Sequence, residues 1–406
     1  MQFNASPAYK VHIDLNSCFA SCEQQANPFL RNKPVAVCAY TTPSGCVLAA
    51  SYEAKAFGVK TGMRLSEAKL LCPKIIALGS DPPKYRYVHK KLEKLLKNYS
   101  SSVVAKSIDE FIFDLSDYCS VSSKSASEVV GEIKKRILYE IGDYLRVSAG
   151  ISTNSYLAKL AATLKKPDGL TVIDSNNFEE VYKNIKLFDL PGIKMGNAKR
   201  LAAGNIYTVY EMYESSPQKL KSAMRGIFGY YWYFRLKGYE AERLTPSRKS
   251  FGNSYSLPKP LSKNSDIAPI LDKLVFKTAT RVRRAGYVSC GIHIALMGKN
   301  NYWHKGVKLS NPLMSTNDYQ ETFKNLFLQK PDLTDIKLIA VTAFNLVKNE
   351  NLQLSLLEKT NKEMEITKAM DAINNKFGSY TITPARVALA KDAVHDRIGF
   401  GNVDGF

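Results

Sequence analysis

Residues 103–116 read VVAKSIDEFIFDLS and are rich in β-forming side chains, which predicts a buried strand pair or a hairpin. Two carboxylates, Asp109 and Glu110, interrupt this apolar run. Ionised carboxylates among buried strands are costly unless a cation or a hydrogen-bonding partner compensates them. The pair is therefore a candidate functional site. Strict alternation would point the two side chains to opposite faces, so a shared site requires a strand edge or a turn there.

A third carboxylate, Asp14, follows a short apolar strand predicted at residues 11–13. Ligands of open sheets bind at the carboxyl ends of strands. Three oxygen donors brought together would suit Mg²⁺, and two such ions about 3.5–4 Å apart would activate an attacking hydroxyl and stabilise a leaving phosphate oxygen. The open alternative is that these acids cap turns or pair with Lys106 and other nearby bases.

The first half of the chain alternates predicted strands and helices, which indicates a mixed α/β core. Short helices and loops then predict a small all-α unit up to about residue 243. A basic, proline-containing linker separates it from a second α/β unit with the order βαββαβ, typical of a split-βαβ domain. One further helix is predicted at residues 362–377.

The chain has 406 residues, which predicts two to four domains, and a net charge of +20 from 57 basic and 37 acidic residues. Such an excess favours a polyanionic partner, either nucleic acid or an anionic membrane surface, and excludes an acidic disordered scaffold. The sequence shows neither a membrane-spanning apolar run nor a signal-peptide pattern. Seven scattered cysteines without a CxxC pair predict reduced thiols and a cytoplasmic location.

Five motifs stand in the order and spacing of the Y-family translesion DNA polymerases of the UmuC/DinB-like kind, which the chain resembles over nearly its whole length. They are IDLNSCFASCE (13–23), SYEAKAFGVKTGM (51–63), KSIDEFIFDLS (106–116), SAGISTNSYLAKLAATLKKPDGLTVI (148–173) and LPGIKMGNAKRL (190–201). DRIGFG (396–401) adds a UmuC-like ending. Each motif alone is weakly specific, whereas the ordered set is highly specific.

The resemblance implies an α/β (α+β) right-hand polymerase that performs low-fidelity translesion synthesis from dNTP onto a primer, using two Mg²⁺ ions. Its expected parts are a palm, short fingers, a helical thumb, a linker, a βαββαβ little finger and a C-terminal segment. The palm would occupy residues 1–17 and 81–173, the fingers 18–80 and the thumb 174–243. The linker would be 244–250, the little finger 251–360 and the C-terminal segment 361–406. Two rival hypotheses are a non-catalytic DNA-binding factor, which should lack the acidic trio, and a nucleotidyl cyclase, which should lack the hairpin.

The resemblance also implies roles for single residues. The metal ligands would be Asp14, Asp109, Glu110 and the backbone carbonyl of Leu15. Phe19 would be the steric gate against ribose, with a core-filling role as its alternative. The triphosphate would bind Tyr52, Lys55 and Lys166. The family often has arginine where this chain has Lys55, and lysine lacks the bidentate fork of arginine.

Two further motifs concern partners, which would be primer–template DNA, dNTP and a sliding clamp, while accessory subunits are left open. A helix-hairpin-helix at Pro191, Gly192 and Lys194 would hold DNA phosphates through backbone N–H groups, although the family usually has glycine in place of Lys194. An ordinary helical turn is the alternative. The pentapeptide Gln353, Leu354, Ser355, Leu356 and Leu357 resembles a clamp-binding peptide without its usual final aromatic residue, and a little-finger strand is its alternative.

A predicted helix at residues 266–284 carries Lys273, Lys277, Arg281 and Arg284 along one stripe. Basic stripes on helices are usually solvated. The stripe is therefore not assigned to DNA residue by residue, although the domain as a whole is expected to make salt-sensitive phosphate contacts.

Overall fold

A computed structural model describes residues 1–241, 248–351, 358–390, 393–394 and 397–398. The clamp-like pentapeptide and most of the DRIGFG ending lie outside these residues. The chain divides into two compact units. The first contains Met1–Thr245 with the described pair Arg397 and Ile398, and the second contains the described part of Pro246–Asp396. No helix within the described ranges is long and apolar enough to cross a membrane.

The first unit holds eight strands and twelve α-helices among its described residues. The strands are β1 (Lys10–Leu15), β2 (Val35–Cys38), β3 (Val47–Ala50), β4 (Ile76–Gly79), β5 (Val104–Ala105), β6 (Glu110–Asp114), β7 (Val147–Ser152) and β8 (Leu170–Ile173). The helices are α1 (Cys18–Ala26), α2 (Tyr52–Ala56), α3 (Leu65–Leu71), α4 (Pro82–Leu96), α5 (Ser116–Ser122), α6 (Ala126–Arg136), α7 (Ser155–Leu164), α8 (Phe178–Asn184), α9 (Met195–Ala203), α10 (Val209–Glu214), α11 (Pro217–Ala223) and α12 (Ile227–Leu236).

A five-stranded sheet in the order β5-β6-β1-β7-β8 forms the centre of the first unit. Strand β1 is antiparallel to both β6 and β7, and its register places Asp14 opposite Glu110. The alternate residues Val11, Ile13 and Leu15 are at most 1% exposed and belong to the core that also contains side chains of α4 and α6. His12 and Asp14 therefore point to the opposite face of the sheet.

Helix α7 lies against this opposite face of the sheet at very short range. A Cβ atom added to Gly150 of β7 would meet the carbonyl oxygen of Ala158 at 2.1 Å and the amide nitrogen of Ala162 at 2.3 Å. Because only glycine fits there, α7 can approach the strand and bring its polar side chains to the edge where Asp14 and Glu110 lie. The predicted hairpin at residues 103–116 is confirmed as β5–β6, which pair antiparallel.

A smaller sheet in the order β3-β2-β4 has its own buried core with α2 and α3 and corresponds to the expected fingers. Strand β4, which runs parallel to β2, was not among the sequence predictions. Helices α8 to α12 pack around Tyr182 and Trp232 in a third core and form the expected helical part.

The second unit confirms the predicted βαββαβ order. Its elements are β9 (Ser250–Leu261), α13 (Asn264–Arg284), β10 (Tyr287–Gly298), β11 (Tyr302–Leu313), α14 (Thr316–Phe327), β12 (Ile336–Lys348), α15 (Glu358–Phe377) and α16 (Ala385–Ala388). The four strands form an antiparallel sheet in the order β11-β10-β12-β9, and its core includes side chains of α13 and α14. The fold class expected from the sequence is thus confirmed, whereas the exact domain boundaries stay predictions.

Candidate active site

The two neighbouring acids of the hairpin escape strict strand alternation because β6 begins only at Glu110. Asp109 lies in the bend before the strand, where the Ser107 hydroxyl accepts hydrogen bonds from the amides of Asp109 and Glu110. The amide of Leu15 donates to the Asp109 carbonyl at 2.9 Å, which ties this bend to the end of β1. The turn required for a shared site is therefore present.

Two lysines from the region of α7 contact two of the three acids. Lys159 Nζ lies 3.0 and 2.8 Å from the two carboxylate oxygens of Glu110. Lys166 Nζ lies 2.7 Å from Oδ2 of Asp14. The predicted phosphate ligand Lys166 thus lies directly beside a predicted metal ligand. Lys159 likewise lies beside a predicted metal ligand, Glu110.

Burial acts to raise the pKa of all three carboxylates, and it prevails at Asp14 and Asp109 but not at Glu110. Burial raises the pKa of Asp14 despite the opposing effect of Lys166, and burial likewise raises the pKa of Asp109. Burial also acts to raise the pKa of Glu110, but the hydrogen bond and charge of Lys159 outweigh it and hold the pKa below its usual value. The site therefore holds negative charge at a cost that a bound cation would reduce.

His12 joins this acidic face, although sequence reasoning did not select it. One ring nitrogen of His12 and carboxylate oxygens of Asp14 and Glu110 all lie within 4.8 Å of one another. Asp109 is not a member of this cluster, and its carboxylate accepts a hydrogen bond from Ser107. The available signal was the spacing of His12 and Asp14, since residues two apart on a strand share a face.

A cavity of about 290 Å³, hereafter the acidic pocket, brings together most of the predicted site. Its lining includes Asp14, Leu15, Phe19, Lys55, Ser107, Asp109 and Lys166. Leu48, Ala49, Ala50, Thr61 and Ile398 complete much of the remaining wall. Ile398 could not have been predicted there, because only the fold brings the end of the chain to the N-terminal strand.

The ring of Phe19 is fixed by stacking on Tyr85, with ring centroids 4.3 Å apart and an interplanar angle of 12°. The Tyr85 hydroxyl donates to Glu23 at 2.8 Å, which anchors the Tyr85 ring. Phe19 therefore presents a rigid apolar surface to the acidic pocket. The ring also packs against the core, as the core-filling alternative expects, and the steric-gate role stays a prediction.

Of the two predicted phosphate ligands in the fingers, Lys55 lines the acidic pocket, and Tyr52 lies next to Lys55 but is not among the lining residues. Lys55 Nζ donates to the Ser17 hydroxyl at 2.7 Å and lies 4.5 Å from the centre of the Tyr52 ring. Burial and the neighbouring Lys166 lower the pKa of Lys55. Ser17 has a left-handed backbone with φ of 49°, a strained conformation that is frequent at functional sites.

Glu110 lines a second cavity of about 290 Å³, hereafter the basic pocket. Its lining includes Lys106, Lys159 and Arg235 together with His12 and Glu240. The three acids thus line two different cavities of the first unit. Asp14 and Asp109 line the acidic pocket, and Glu110 lines the basic pocket with three cationic side chains.

The hairpin predicted at residues 190–201 forms a turn before α9. Gly192 has φ of +96°, which favours glycine, and Leu190 and Ile193 are buried on either side of the turn. Gly192 and Lys194 are exposed, and Pro191 is half-buried. The position of this turn allows contact with a ligand, but contact with DNA stays a prediction.

The basic stripe of α13 is solvated only in part, because its first two lysines are buried whereas Arg284 is exposed. Lys273 and Lys277 are each only 7% exposed, and Lys273 donates to the carbonyls of Ala390 and Ala393. Arg281 donates to the Gly252 carbonyl. These side chains pack within the second unit, because the chain after α15 returns to cover α13.

Comparison with known proteins identifies the family. The N-terminal profile of the impB/mucB/samB family matches residues 13–163, and the C-terminal domain profile of the same family matches residues 248–356. DNA polymerase IV of Pelotomaculum thermopropionicum (strain DSM 13744 / JCM 10971 / SI) is 32% identical over 398 residues, which cover 95% of this chain and 97% of that protein. DNA polymerase IV 1 of Bacillus subtilis (strain 168) is 29% identical over 91% of both chains.

Solved structures agree with this result. A Y-family DNA polymerase chimera, Dbh-Dpo4(243-245)-Dbh, superposes with a TM-score of 0.74 at 25% identity and covers 84% of this chain and 99% of its own. An insertion ternary complex of Dbh DNA polymerase has the same fold, with a TM-score of 0.59 at 24% identity and the same coverage. Since the sequence similarity extends over nearly all of both chains, this chain belongs to the DinB-like Y-family of DNA-directed DNA polymerases.

Proposed function

We propose that this polymerase performs low-fidelity synthesis past damaged template bases, joining a dNTP to a primer 3′-OH by two-metal-ion nucleotidyl transfer. The observation that carries the proposal is the composition of the acidic pocket. It combines the carboxylates of Asp14 and Asp109, the ammonium groups of Lys55 and Lys166 and the flat ring of Phe19. Carboxylates suit divalent cations, ammonium groups suit a triphosphate, and an apolar ring suits a deoxyribose.

The residues that would hold two Mg²⁺ ions are Asp14, Asp109, Glu110 and the carbonyl of Leu15. The donor set fits, because oxygens of Asp14 and Glu110 lie within 4.8 Å of each other and Asp109 and Leu15 line the adjoining pocket. When bound, such ions activate the attacking hydroxyl and neutralise charge on the leaving phosphate. Lys166 contacts Asp14 and is within reach of the same pocket, so it can exchange the carboxylate for a phosphate oxygen.

The remaining residues of the pocket would orient the nucleotide. Lys55, held by Ser17 and Tyr52, would bind the triphosphate from the side of the fingers. Phe19, fixed by Tyr85, would lie under the sugar and exclude a ribose 2′-OH by steric contact. The fingers consist of one three-stranded sheet with short helices, which supports low fidelity because little protein surrounds the nascent base pair.

Primer–template DNA would approach from the other side of the acids. The basic pocket, with Lys106, Lys159 and Arg235, offers cations to the terminal phosphates of the primer strand. The exposed turn at Gly192 and Lys194, after Pro191, would hold phosphates farther along the duplex. The similarity to a Y-family insertion complex supports DNA and dNTP as partners.

The proposed contact with a sliding clamp rests on the sequence alone. A sliding clamp would bind the peptide with Gln353, Leu354, Leu356 and Leu357, which lies outside the described residues. Accessory subunits are left open. A cytoplasmic location fits the seven cysteines, all of which are free thiols.

The deciding experiment is primer extension with dNTPs and Mg²⁺ on an undamaged template and on a template with an abasic site. Asp109→Asn removes one negative charge from the acidic pocket and should reduce extension about 100-fold or more. Asp114→Asn is the matched control, since Asp114 ends the strand β6 that follows Asp109 but pairs with Lys10 at 2.7 Å. Wild-type protein that fails to extend, or equal activity of the two variants, would refute the assignment.

A further inference from the structure

We propose that His12 is a direct ligand of one metal ion in the active site and that its nitrogen makes this site selective for a first-row transition-metal cation such as Mn²⁺ over Mg²⁺. The inference rests on the proposed two-metal function, because it adds a nitrogen donor to the oxygen ligands which that function requires. It concerns metal selectivity and does not change the reaction.

The fold places His12 on the same surface as two predicted ligands. His12 and Asp14 are two residues apart on β1, and Glu110 is the partner of Asp14 on β6, so the three side chains share one face of the sheet. One ring nitrogen and two carboxylate oxygens lie within 4.8 Å of one another. Ligand atoms about 2.0–2.2 Å from a metal are at most about 4.4 Å apart, so atoms within 4.8 Å of one another need to close by no more than a few tenths of an ångström to hold a single ion.

The imidazole also has unfilled bonding capacity. His12 is 2% exposed, and its Nε2 has no hydrogen-bond partner within the part of the chain that the structure describes. A buried polar atom without a partner is unfavourable and calls for an explanation such as an ion. Imidazole is the commonest metal ligand in proteins and can bind an ion through either ring nitrogen.

The chemistry of the donor set distinguishes the cations. Mg²⁺ takes oxygen ligands in a near-octahedral shell and rarely accepts imidazole, whereas transition-metal cations accept both carboxylate and imidazole. Lys159 and Lys166 now contact carboxylate oxygens of Glu110 and Asp14, so a bound ion must replace their ammonium groups. Nε2 of His12 needs no such exchange, because no group in the described part of the chain hydrogen-bonds to it.

The test measures metal binding directly, without catalysis. Wild-type protein is titrated with Mn²⁺ alone, and again with dideoxy-terminated primer–template and dNTP, while electron paramagnetic resonance reports free Mn²⁺. Competition with Mg²⁺ gives the relative affinity. Electron spin-echo envelope modulation then reports whether a nitrogen-14 nucleus is bonded to the bound Mn²⁺.

We expect nitrogen-14 modulation in the wild type and its loss in His12→Gln, with at least about tenfold weaker Mn²⁺ binding and Mg²⁺ binding changed less than about twofold. His89→Gln is the matched control, because His89 is also a buried histidine of the first unit, 3% exposed, but contacts the Ile108 carbonyl at 2.8 Å through Nδ1. This variant should keep the wild-type modulation.

Absence of nitrogen-14 modulation in the wild type with Mn²⁺ bound, or failure to bind Mn²⁺ under either condition, would overturn the inference. Neither result requires a variant that folds. Primer extension separates the two claims. An enzyme that extends primers but shows no nitrogen ligand refutes only the role of His12, whereas nitrogen-ligated Mn²⁺ without extension refutes only the proposed function.

Discussion

Phe19 is the residue whose environment most directly implies a selectivity between ribonucleotides and deoxyribonucleotides. It lines the acidic pocket beside Asp14 and is held from behind by Tyr85 at 4.3 Å. Because the ring cannot move back, it would overlap with the 2′-OH of a bound ribonucleotide and exclude it. Phe19→Ala should remove that overlap. We expect the ratio of kcat/KM for rNTP to that for dNTP to rise by roughly 10–100-fold.

The measurement is single-nucleotide insertion with matched rNTP and dNTP on one primer–template. Phe29→Ala is the control, because Phe29 is 83% exposed and lies away from the pocket. Unchanged sugar discrimination in Phe19→Ala would assign this ring to the core alone. A similar change in both variants would point to a general loosening of the fingers.

The acidic residues could be predicted from the sequence, whereas their partners could not. Asp109 and Glu110 are conspicuous because local sequence alone shows carboxylates inside an apolar strand. The contact of Lys159 with Glu110 spans 49 residues and that of Lys166 with Asp14 spans 152, so only the fold reveals them. His12 illustrates a third case. Its spacing from Asp14 showed that the two side chains share a face of the strand, but a buried histidine is commonly structural, so the spacing alone did not select it as a site residue.

At the level of elements, the approach of α7 to β7 positions the lysines of the active site. We expect Gly150→Ala to destabilise the protein by about 3 kcal/mol, because the added methyl group would overlap the backbone of α7 at Ala158 and Ala162. The helix must then move away from the sheet and carry Lys159 away from Glu110. Chemical denaturation measures the first effect, and primer extension measures the second.

Gly131→Ala is the matched control for this substitution. Gly131 lies inside α6, and a Cβ atom there would meet nothing within 4 Å. Alanine favours a helix interior over glycine, so this variant should be about 0.5–1 kcal/mol more stable than the wild type. Equal stability of both variants would show that α7 has room to accommodate a side chain at position 150.

Element identity was more predictable than element environment. The strand–helix order of both units follows from hydrophobic periodicity, which is a local property. Strand β4 was missed because it is four residues long and pairs parallel with the distant β2. The stripe on α13 was predicted to be solvated, but Lys273 is buried by residues more than a hundred positions later in the chain, a contact that no local pattern encodes.

On the scale of the whole molecule, the basic residues behind the net charge of +20 are of two kinds. Some are buried or paired within the protein, and others are exposed to solvent. Lys273 and Lys277 are buried in the second unit, and Lys159 and Lys166 contact carboxylates of the first. Only the exposed bases and the cations of the basic pocket can neutralise DNA phosphates. The number of phosphates contacted should therefore be much smaller than the count of 57 basic residues suggests.

Salt dependence of DNA binding counts these contacts. The logarithm of the association constant for primer–template should fall linearly with the logarithm of salt concentration, with a slope of about −0.9 per phosphate neutralised, and should show little preference for sequence. Lys194→Ala removes an exposed charge at the hairpin turn. If that lysine contacts a phosphate, the slope should become shallower by about one, and affinity should fall equally on unrelated sequences.

Lys183→Ala distinguishes a contact from the general field of the protein. Lys183 is also exposed in the helical part of the first unit, but it pairs with Glu179 at 3.1 Å and lies outside the hairpin. Its loss removes the same net charge but no proposed phosphate contact, so the slope should not change. Equal changes in both variants would mean that the hairpin acts only through long-range attraction, because a phosphate contact at Lys194 must alter the slope in that variant alone.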